Sequence, residues 1–524
     1  MSTSFSSSAA EAAKAATHFE VDADWLLADP GVAPAQAGVR VSAVDGRFNA
    51  ITPVALPAGR ARRLLLPALA NAHDHARHFR SSTLGATGQP LETWLPFLGT
   101  VSALDPYLCA ATSFARSVRK GVTHLMVHYT TVQGGMPYVD EARAVARAAR
   151  DVGVRIGFAV AMRDRNGIAY TLDGDDAPVL AALRPGIRDA VAGRLKARPV
   201  APAAQLALVD EVAAMVDAEG FGEHVSVQYG PTAVQWCSPA LLEAIAQASA
   251  DTGRPVHMHL LETRIQREWA DRMHPQGIVR YLDDIGLLSP RLTLAHCAWA
   301  RPDELALIAE RGATIAVNTS SNLGLKSGIA PLPEMLKQGC RVAMGLDGMA
   351  FDEDDDALRE ARLAYALHRG WSFDETMTID QLWGFAARNG PHSVCGVRGV
   401  RGVRGAASVD AGRIVVGAPA DLVALDWDVV DDEALLPDND PLAQLLARAH
   451  GGHITDVWAA GRHVVAEGRV TGVDAPALQA ELLARTRAML AGSAPHADWR
   501  ATVQALAQDL APFYQHGLFG GCCR

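Results

Sequence analysis

The sequence predicts an α/β protein: a (β/α)8 TIM barrel with a small β-sandwich built from both ends of the chain. Three observations predict it. Between about Leu64 and Gly348, eight short apolar runs alternate with longer stretches of helical spacing. Both flanks instead carry Val-, Gly- and Pro-rich segments with strand-like alternation. The 524 residues also leave room for a barrel of about 250 residues plus a second, smaller unit.

The eight runs are Leu64–Leu69, His124–His128, Val154–Met162, Val225–Gly230, Pro255–Leu261, Leu292–His296, Thr314–Val317 and Arg341–Leu346. Between them, Val139–Val152, Pro239–Thr252 and Arg301–Arg311 place Ala, Leu and Glu at helical spacing. Strand followed by helix, eight times, implies a parallel barrel whose chemistry gathers at the C-terminal ends of the strands. Residues 19–65 and 396–472 are assigned to the sandwich and 66–395 to the barrel. Residues 1–18 are expected to form a disordered leader, and 473–524 a tail with helices at Ala475–Leu490 and His496–Leu510. Asp173–Ala204 exceeds an ordinary connection and is read as a partly helical lid. The Gly-Val-Arg triplets within Gly396–Gly405 read as a low-complexity loop.

Composition narrows the function. Lys plus Arg total 48 against 58 Asp plus Glu, a net charge of −10 with no basic run, which disfavours nucleic acid as a partner. A hydrophobic fraction of 49% excludes a disordered chain. No stretch of 18 apolar residues predicts a membrane span, and Met1–Thr17 lacks the apolar core of a signal peptide. Seven scattered cysteines without a C-x-x-C read as reduced thiols in a cytoplasmic protein.

The strand ends carry the chemistry. The first run leads to Asn71-Ala-His73-Asp-His75, the fifth ends in His257-Met-His259-Leu-Leu-Glu262, the sixth in Ala295-His296-Cys297, and the eighth in Leu346-Asp347-Gly348. In an H-x-H pair on a strand both imidazoles face one side, because side chains alternate with period two. With 18 histidines, chance alone gives about 0.6 such pairs, so either pair by itself is weak. Three imidazoles and a carboxylate at the ends of strands one, five and eight form a set suited to Zn²⁺ or Fe²⁺, with a position left for water. Glu262, three residues beyond His259, can reach that water without ligating the metal, and His296 adds a polar group opposite.

On these motifs the chain resembles the amidohydrolase superfamily, in its branch of metal-dependent deaminases and chlorohydrolases. Further shared segments are Leu91-Glu-Thr-Trp94, Ser321-Asn322, Ser327-Gly328-Ile329-Ala330-Pro331 and Gly417-Ala-Pro-Ala-Asp421. The resemblance spans about residues 19–470. It implies one divalent metal, zinc with iron or manganese as alternatives, held by His73, His75, His259 and Asp347, with Glu262, His296 and Asp347 catalytic. No Lys ends the fourth strand, so a carbamylated-lysine bridge between two metals is not expected. The seventh strand ends in Val317-Asn-Thr-Ser-Ser321-Asn322, without the histidine many relatives carry there.

The expected reaction is hydrolytic deamination of an amino-substituted purine, pterin, pyrimidine or triazine. Asp347 would accept the proton of water, Glu262 would act as general acid and His296 would hold the nucleophile. Hydrolysis of an amide, cyclic amide, urea or carbamate on the same site is an alternative, and a non-catalytic metal-binding scaffold is another. His128, Arg163, Gln235 and Trp236, at the ends of strands two to four, are candidate substrate contacts. His257 is read as buried and bonded, and His78 as no ligand. Asp352–Asp356 is read as a solvated acidic helix start. A small-molecule substrate and a homodimer complete the expectation.

Overall fold

The computed structural model describes residues 18–515 apart from 102–103, 131, 166, 168, 172–175, 195–199, 349–351, 397–408, 437 and 493. The leader, the Gly-Val-Arg triplets after Gly396, and Cys522 and Cys523 therefore lie outside the described residues.

Eight parallel strands form the barrel: β5 (Leu69–Asn71), β6 (Val122–Tyr129), β7 (Arg155–Met162), β8 (Val225–Pro231), β9 (Val256–Leu260), β10 (Leu292–His296), β11 (Thr314–Val317) and β12 (Arg341–Met344), hydrogen-bonded in that order. Every residue of β6, β10 and β11 is buried, as expected of parallel strands covered on both faces. The ends of the sheet meet where Ala72 N–H donates to Met344 O at 2.7 Å and Asp347 N–H donates to His73 O at 2.9 Å. Barrel closure thus joins the backbones of two predicted metal ligands.

The helices follow local rules. Tyr138–Val152 buries Ala142, Val145, Ala146, Ala149 and Val152 on one stripe and stops at Gly153, whose φ of +90° suits glycine. Pro239–Thr252 starts with the Ser238 side chain accepting from Leu241 N–H.

The second sheet takes strands from both ends of the chain: β1 (His18–Leu26), β2 (Gln36–Val44), β3 (Arg47–Pro53), β4 (Arg63–Pro67), β13 (Leu422–Asp426), β14 (Ile454–Ala459), β15 (Arg462–Ala466) and β16 (Arg469–Val470). Its order is β16-β15-β14-β13-β4-β1-β2-β3. The sheet folds over itself: Phe48 N–H donates to Ala418 O and Gly417 N–H to Phe48 O, enclosing Val21, Val41, Phe48, Leu65 and Leu422.

Two expectations change here. The run Leu64–Leu69 is not one barrel strand: Arg63–Pro67 pairs with β13 and β1 in the second sheet, and the barrel strand begins only at Leu69. Pro67 cannot donate to a ladder, and the chain changes sheets directly after it. The acidic run is not simply solvated either. Asp355 and Asp356 are buried; Asp356 caps the helix Ala357–His368 and accepts from Gly451 N–H at 2.8 Å.

The two sheets are joined by Arg155 of β7 and Asp421, which precedes β13. Asp421 also accepts from Ala460 N–H at 2.8 Å. Burial opposes its charge, but Arg155 and His124 hold the carboxyl below its ordinary range. Arg155→Ala would leave that carboxylate buried without its cation. It is expected to cost about 3–5 kcal/mol, read as a lower midpoint of urea unfolding; an unchanged midpoint would show that the joint contributes nothing.

Candidate metal centre and active site

The Asn71–His75 segment is shaped by its own side chains. Asn71 Oδ1 accepts from Leu346 N–H at 2.9 Å, and its amide donates to Asp74 Oδ2 at 2.7 Å. Asp74 in turn accepts from the N–H groups of His75, Ala76 and Gly348 at 2.7–3.1 Å. The turn after β5 is thereby tied to the turn after β12, and His73, His75 and Asp347 meet at one rim. Behind them Gly345 leaves no room for a side chain: a Cβ would sit 1.9 Å from Asn318 Oδ1 and 2.9 Å from His73 Cβ.

The ring nitrogens are sorted by their partners. His75 Nδ1 donates to the His128 carbonyl at 2.8 Å, and His259 Nδ1 to the Thr232 carbonyl at 2.7 Å. A carbonyl only accepts, so the proton is on Nδ1 and the Nε2 lone pair points inward. His73 Nδ1 meets His257 Nε2 at 2.8 Å, the buried and bonded role expected of His257. Burial pushes the His73 pKa down to about 3 and holds His259 and His257 well below the ordinary value, so these rings are neutral.

His75 Nε2 lies 3.4 Å from His259 Nε2 and 3.3 Å from Asp347 Oδ1, and His73 Nε2 lies 3.5 Å from that oxygen. Two ligand atoms about 2.0–2.1 Å from one tetrahedral ion lie about 3.3–3.4 Å apart. His73 Nε2 and Asp347 Oδ1 are buried without a hydrogen bond among the described residues. The ligand-capable atoms of His73, His75 and His259, and of His73, His296 and Asp347, fall within 4.8 Å of one another. These residues fit one divalent cation. Burial opposes the charge of Asp347, but Arg77, His73 and His75 outweigh it and hold the carboxyl well below its usual range. Its second oxygen accepts from Ser321 Oγ at 2.5 Å.

Glu262 stands beside this cluster. Burial raises its pKa to about 7 against the opposing pull of His296. Oε1 accepts from Ser327 Oγ at 3.1 Å, and Oε2 lies 3.7 Å from His296 Nε2. His296 Nδ1 meets Asn322 Oδ1 at 2.9 Å and Asn318 Nδ2 at 3.1 Å. The backbone is left-handed at Leu261, His296, Cys297 and Asp347, with φ between 48° and 76°. Such conformations at non-glycine residues cost energy and recur where side chains are aimed at a ligand.

A cavity of about 520 Å³ opens from the cluster. His75, His259, His296, Glu262 and Asp347 line it, and so do Arg163, Gln235 and Trp236, three of the candidate substrate contacts. Gln235 Nε2 is buried with no partner among the described residues. His128 does not line the cavity. It lies one layer deeper, with Nε2 against Gly230 O at 3.1 Å and its ring stacked on His259. Inward-facing residues of a barrel strand form successive layers, and His128 belongs to a lower one. His78, read as no ligand, is in neither ligand cluster but borders the cavity.

Sequence reasoning missed several residues. Arg77 donates to Asp347 O at 2.7 Å while lying over the Trp94 ring, 4.6 Å from its centroid. Gln266 links Glu262 N–H to the Tyr170 hydroxyl at 2.8 and 3.2 Å. Ser321 and Ser327 sat in quoted motifs but carried no role. Arg77, Gln266 and Tyr170 had no periodicity or spacing to mark them.

The amidohydrolase family model matches residues 64–464. The chain belongs to that family. A 5'-deoxyadenosine deaminase of Methanothermobacter thermautotrophicus is 27% identical over 78% of this chain and 83% of its own length. A 5-methylthioadenosine/S-adenosylhomocysteine deaminase of Moorella thermoacetica is 27% identical over 84% of this chain and 93% of its own. Among solved structures, an adenosine deaminase from Xanthomonas campestris with bound zinc superposes with a TM-score of 0.66 at 22% identity, covering 90% of this chain and 98% of that one.

In this amidohydrolase, His73→Ala and Asp347→Asn are expected to lower bound divalent metal from about one ion per chain to well below half, measured by elemental analysis of the purified proteins. Full retention in both variants would move the metal elsewhere.

Proposed function

We propose that the chain is a zinc-dependent hydrolytic deaminase of an amino-substituted nitrogen heterocycle of the purine, pterin, pyrimidine or triazine type. The observation that carries this reading is Glu262: a buried carboxyl poised near neutrality, between the cation cluster and the cavity. Deamination needs such a group, because the ring nitrogen and then the departing amine must each receive a proton. The substrates named for the two relatives put purines first in any panel.

A divalent cation held by His73, His75, His259 and Asp347 would supply the Lewis acidity that makes water nucleophilic at neutral pH. Asp347 Oδ1 is placed to accept the proton that water gives up. Ser321 holds the other carboxylate oxygen, so Oδ1 keeps its direction. His296, whose Nδ1 is held by Asn322 and Asn318, presents Nε2 to the attacking water and keeps it in line. Glu262 donates its proton to the ring nitrogen as the adjacent carbon is attacked. Asp347 then passes the proton taken from water to the amine, which leaves as ammonia, while Glu262 recovers a proton from the new hydroxyl as the carbon becomes a carbonyl. Trp236 offers a flat face to the ring, Gln235 Nε2 a donor for a ring nitrogen or carbonyl, and Arg163, which makes no ion pair among the described residues, a cation for an electron-rich edge. The reading keeps the cytoplasmic, homodimeric setting expected from the sequence; sedimentation should find two chains per particle.

Glu262 is protonated below about 7, so turnover at saturating substrate should fall as pH rises through that value. Glu262→Gln should remove this limb and lower kcat by about 10²–10⁴ with bound metal unchanged, measured as ammonia release from purines, pterins, pyrimidines and triazines. An undiminished rate would remove Glu262 from the mechanism.

A further inference from the structure

The C-terminal helix, Ala494–Gln515, lies beyond the family match, which ends at residue 464, yet it forms part of the active-site wall. Trp499, Leu506 and Tyr514 line the same cavity as His259 and Glu262. The helix is firmly seated. Val503 and Ala507 pack with Leu91 and Trp94, and Leu506 and Leu510 with Ala169, Val179 and Leu183. Positions 499, 503, 506, 507, 510 and 514 form one stripe at helical spacing. Polar contacts fix it at both ends: Trp499 Nε1 donates to Gly99 O at 3.1 Å, and Arg184 Nε donates to Asp509 Oδ1 at 2.7 Å. The helix Pro185–Arg194, part of the segment expected to be a lid, adds Val191 to the same wall.

This arrangement divides the cavity. Charged side chains (Arg77, Arg163, Glu92, Glu262 and Asp347) come from barrel loops, whereas the described residues of the C-terminal helix that line it are Trp499, Leu506 and Tyr514. Leu91, Leu95 and Leu98 face the same region. A phosphate or carboxylate directed at these three side chains would lose water and gain no cation from them. At about 520 Å³ the space falls in the range that encloses drug-sized ligands, about 300–1,000 Å³. A bare pyrimidine or purine base leaves most of it unfilled.

We infer that the substrate carries an apolar substituent (alkyl, aryl or thioether) on its heterocycle, and that Trp499 and Leu506 of the C-terminal helix select for it. The inference rests on the deaminase reading above and adds to it the class of substituent. Trp499 and Leu506 are specificity residues and take no part in moving protons.

The test uses adenine, cytosine and triamino-triazine, each as parent and with methyl to butyl chains linked through sulfur or nitrogen. In the full-length enzyme kcat/KM should rise about four-fold per added methylene, the fold-change equivalent to about 0.8 kcal/mol. In Trp499→Ala and in Leu506→Ala the increment should fall below about two-fold, and Trp499→Phe should recover part of it. Melting temperature and metal content exclude general loosening; if Leu506→Ala does not fold, the half-buried Trp499 carries the test. A flat dependence on chain length in the wild type, or an unchanged increment in the variants, overturns the inference. Ammonia from no compound overturns the deaminase reading instead. Calorimetric affinities for the same series then decide the wall independently, since a Kd that ignores chain length refutes it.

Discussion

A buried polar atom without a hydrogen bond costs about 1–3 kcal/mol, more if it is charged. Among the described residues, the rim of this barrel holds His73 Nε2 and Asp347 Oδ1 in that state, 3.5 Å apart, with His75 Nε2 3.3 Å from the aspartate oxygen and 3.4 Å from His259 Nε2. Carbonyl partners fix the protons of His75 and His259 on Nδ1, so their Nε2 lone pairs repel one another and that of His75 repels the Asp347 oxygen. Only positive charge placed among them turns the arrangement from a cost into a gain. Neutral histidines, an ionised aspartate and an anchoring arginine all follow from that constraint.

Holding such a cluster together requires rigidity nearby. Asn71 and Asp74 contribute it by tying the first barrel turn to the last, so that closing the sheet and placing the ligands are one event. Gly345 lets Asn318 and His73 approach the last strand closely, and left-handed residues at three strand ends turn the chain outward as soon as a functional side chain has been delivered. Left-handed non-glycine residues also turn the hairpins of the second sheet, at Asp45, Ala460 and Glu467, so the conformation is shared while the aimed side chains are particular to the rim.

Much of this was legible in the sequence because barrels are periodic. Seven of the eight apolar runs coincide with barrel strands, and Pro239–Thr252 has the helix bounds that its Ser-Pro start and following glycine imply. The candidate ligands stood out only in combination, since His257 of the second H-x-H pair turns to His73 Nδ1 and belongs to neither ligand cluster. Leu64–Leu69 was misread because an apolar run records burial but not which sheet supplies the partner. His128 was misplaced because strand position does not reveal depth. Asp355 and Asp356 looked solvated because charge patterning cannot show that Ser117 and Gly451 would cover them. The C-terminal helix was legible as a helix at His496–Leu510, but not the cavity against which it would settle.

X-ray absorption at the edge of the metal bound to the purified protein tests the account most directly. The account predicts a single shell of nitrogen and oxygen at about 2.0–2.1 Å, outer scattering from three imidazoles, no sulfur and no second metal. A sulfur shell at about 2.3 Å or a metal–metal vector near 3.5–4 Å would contradict it.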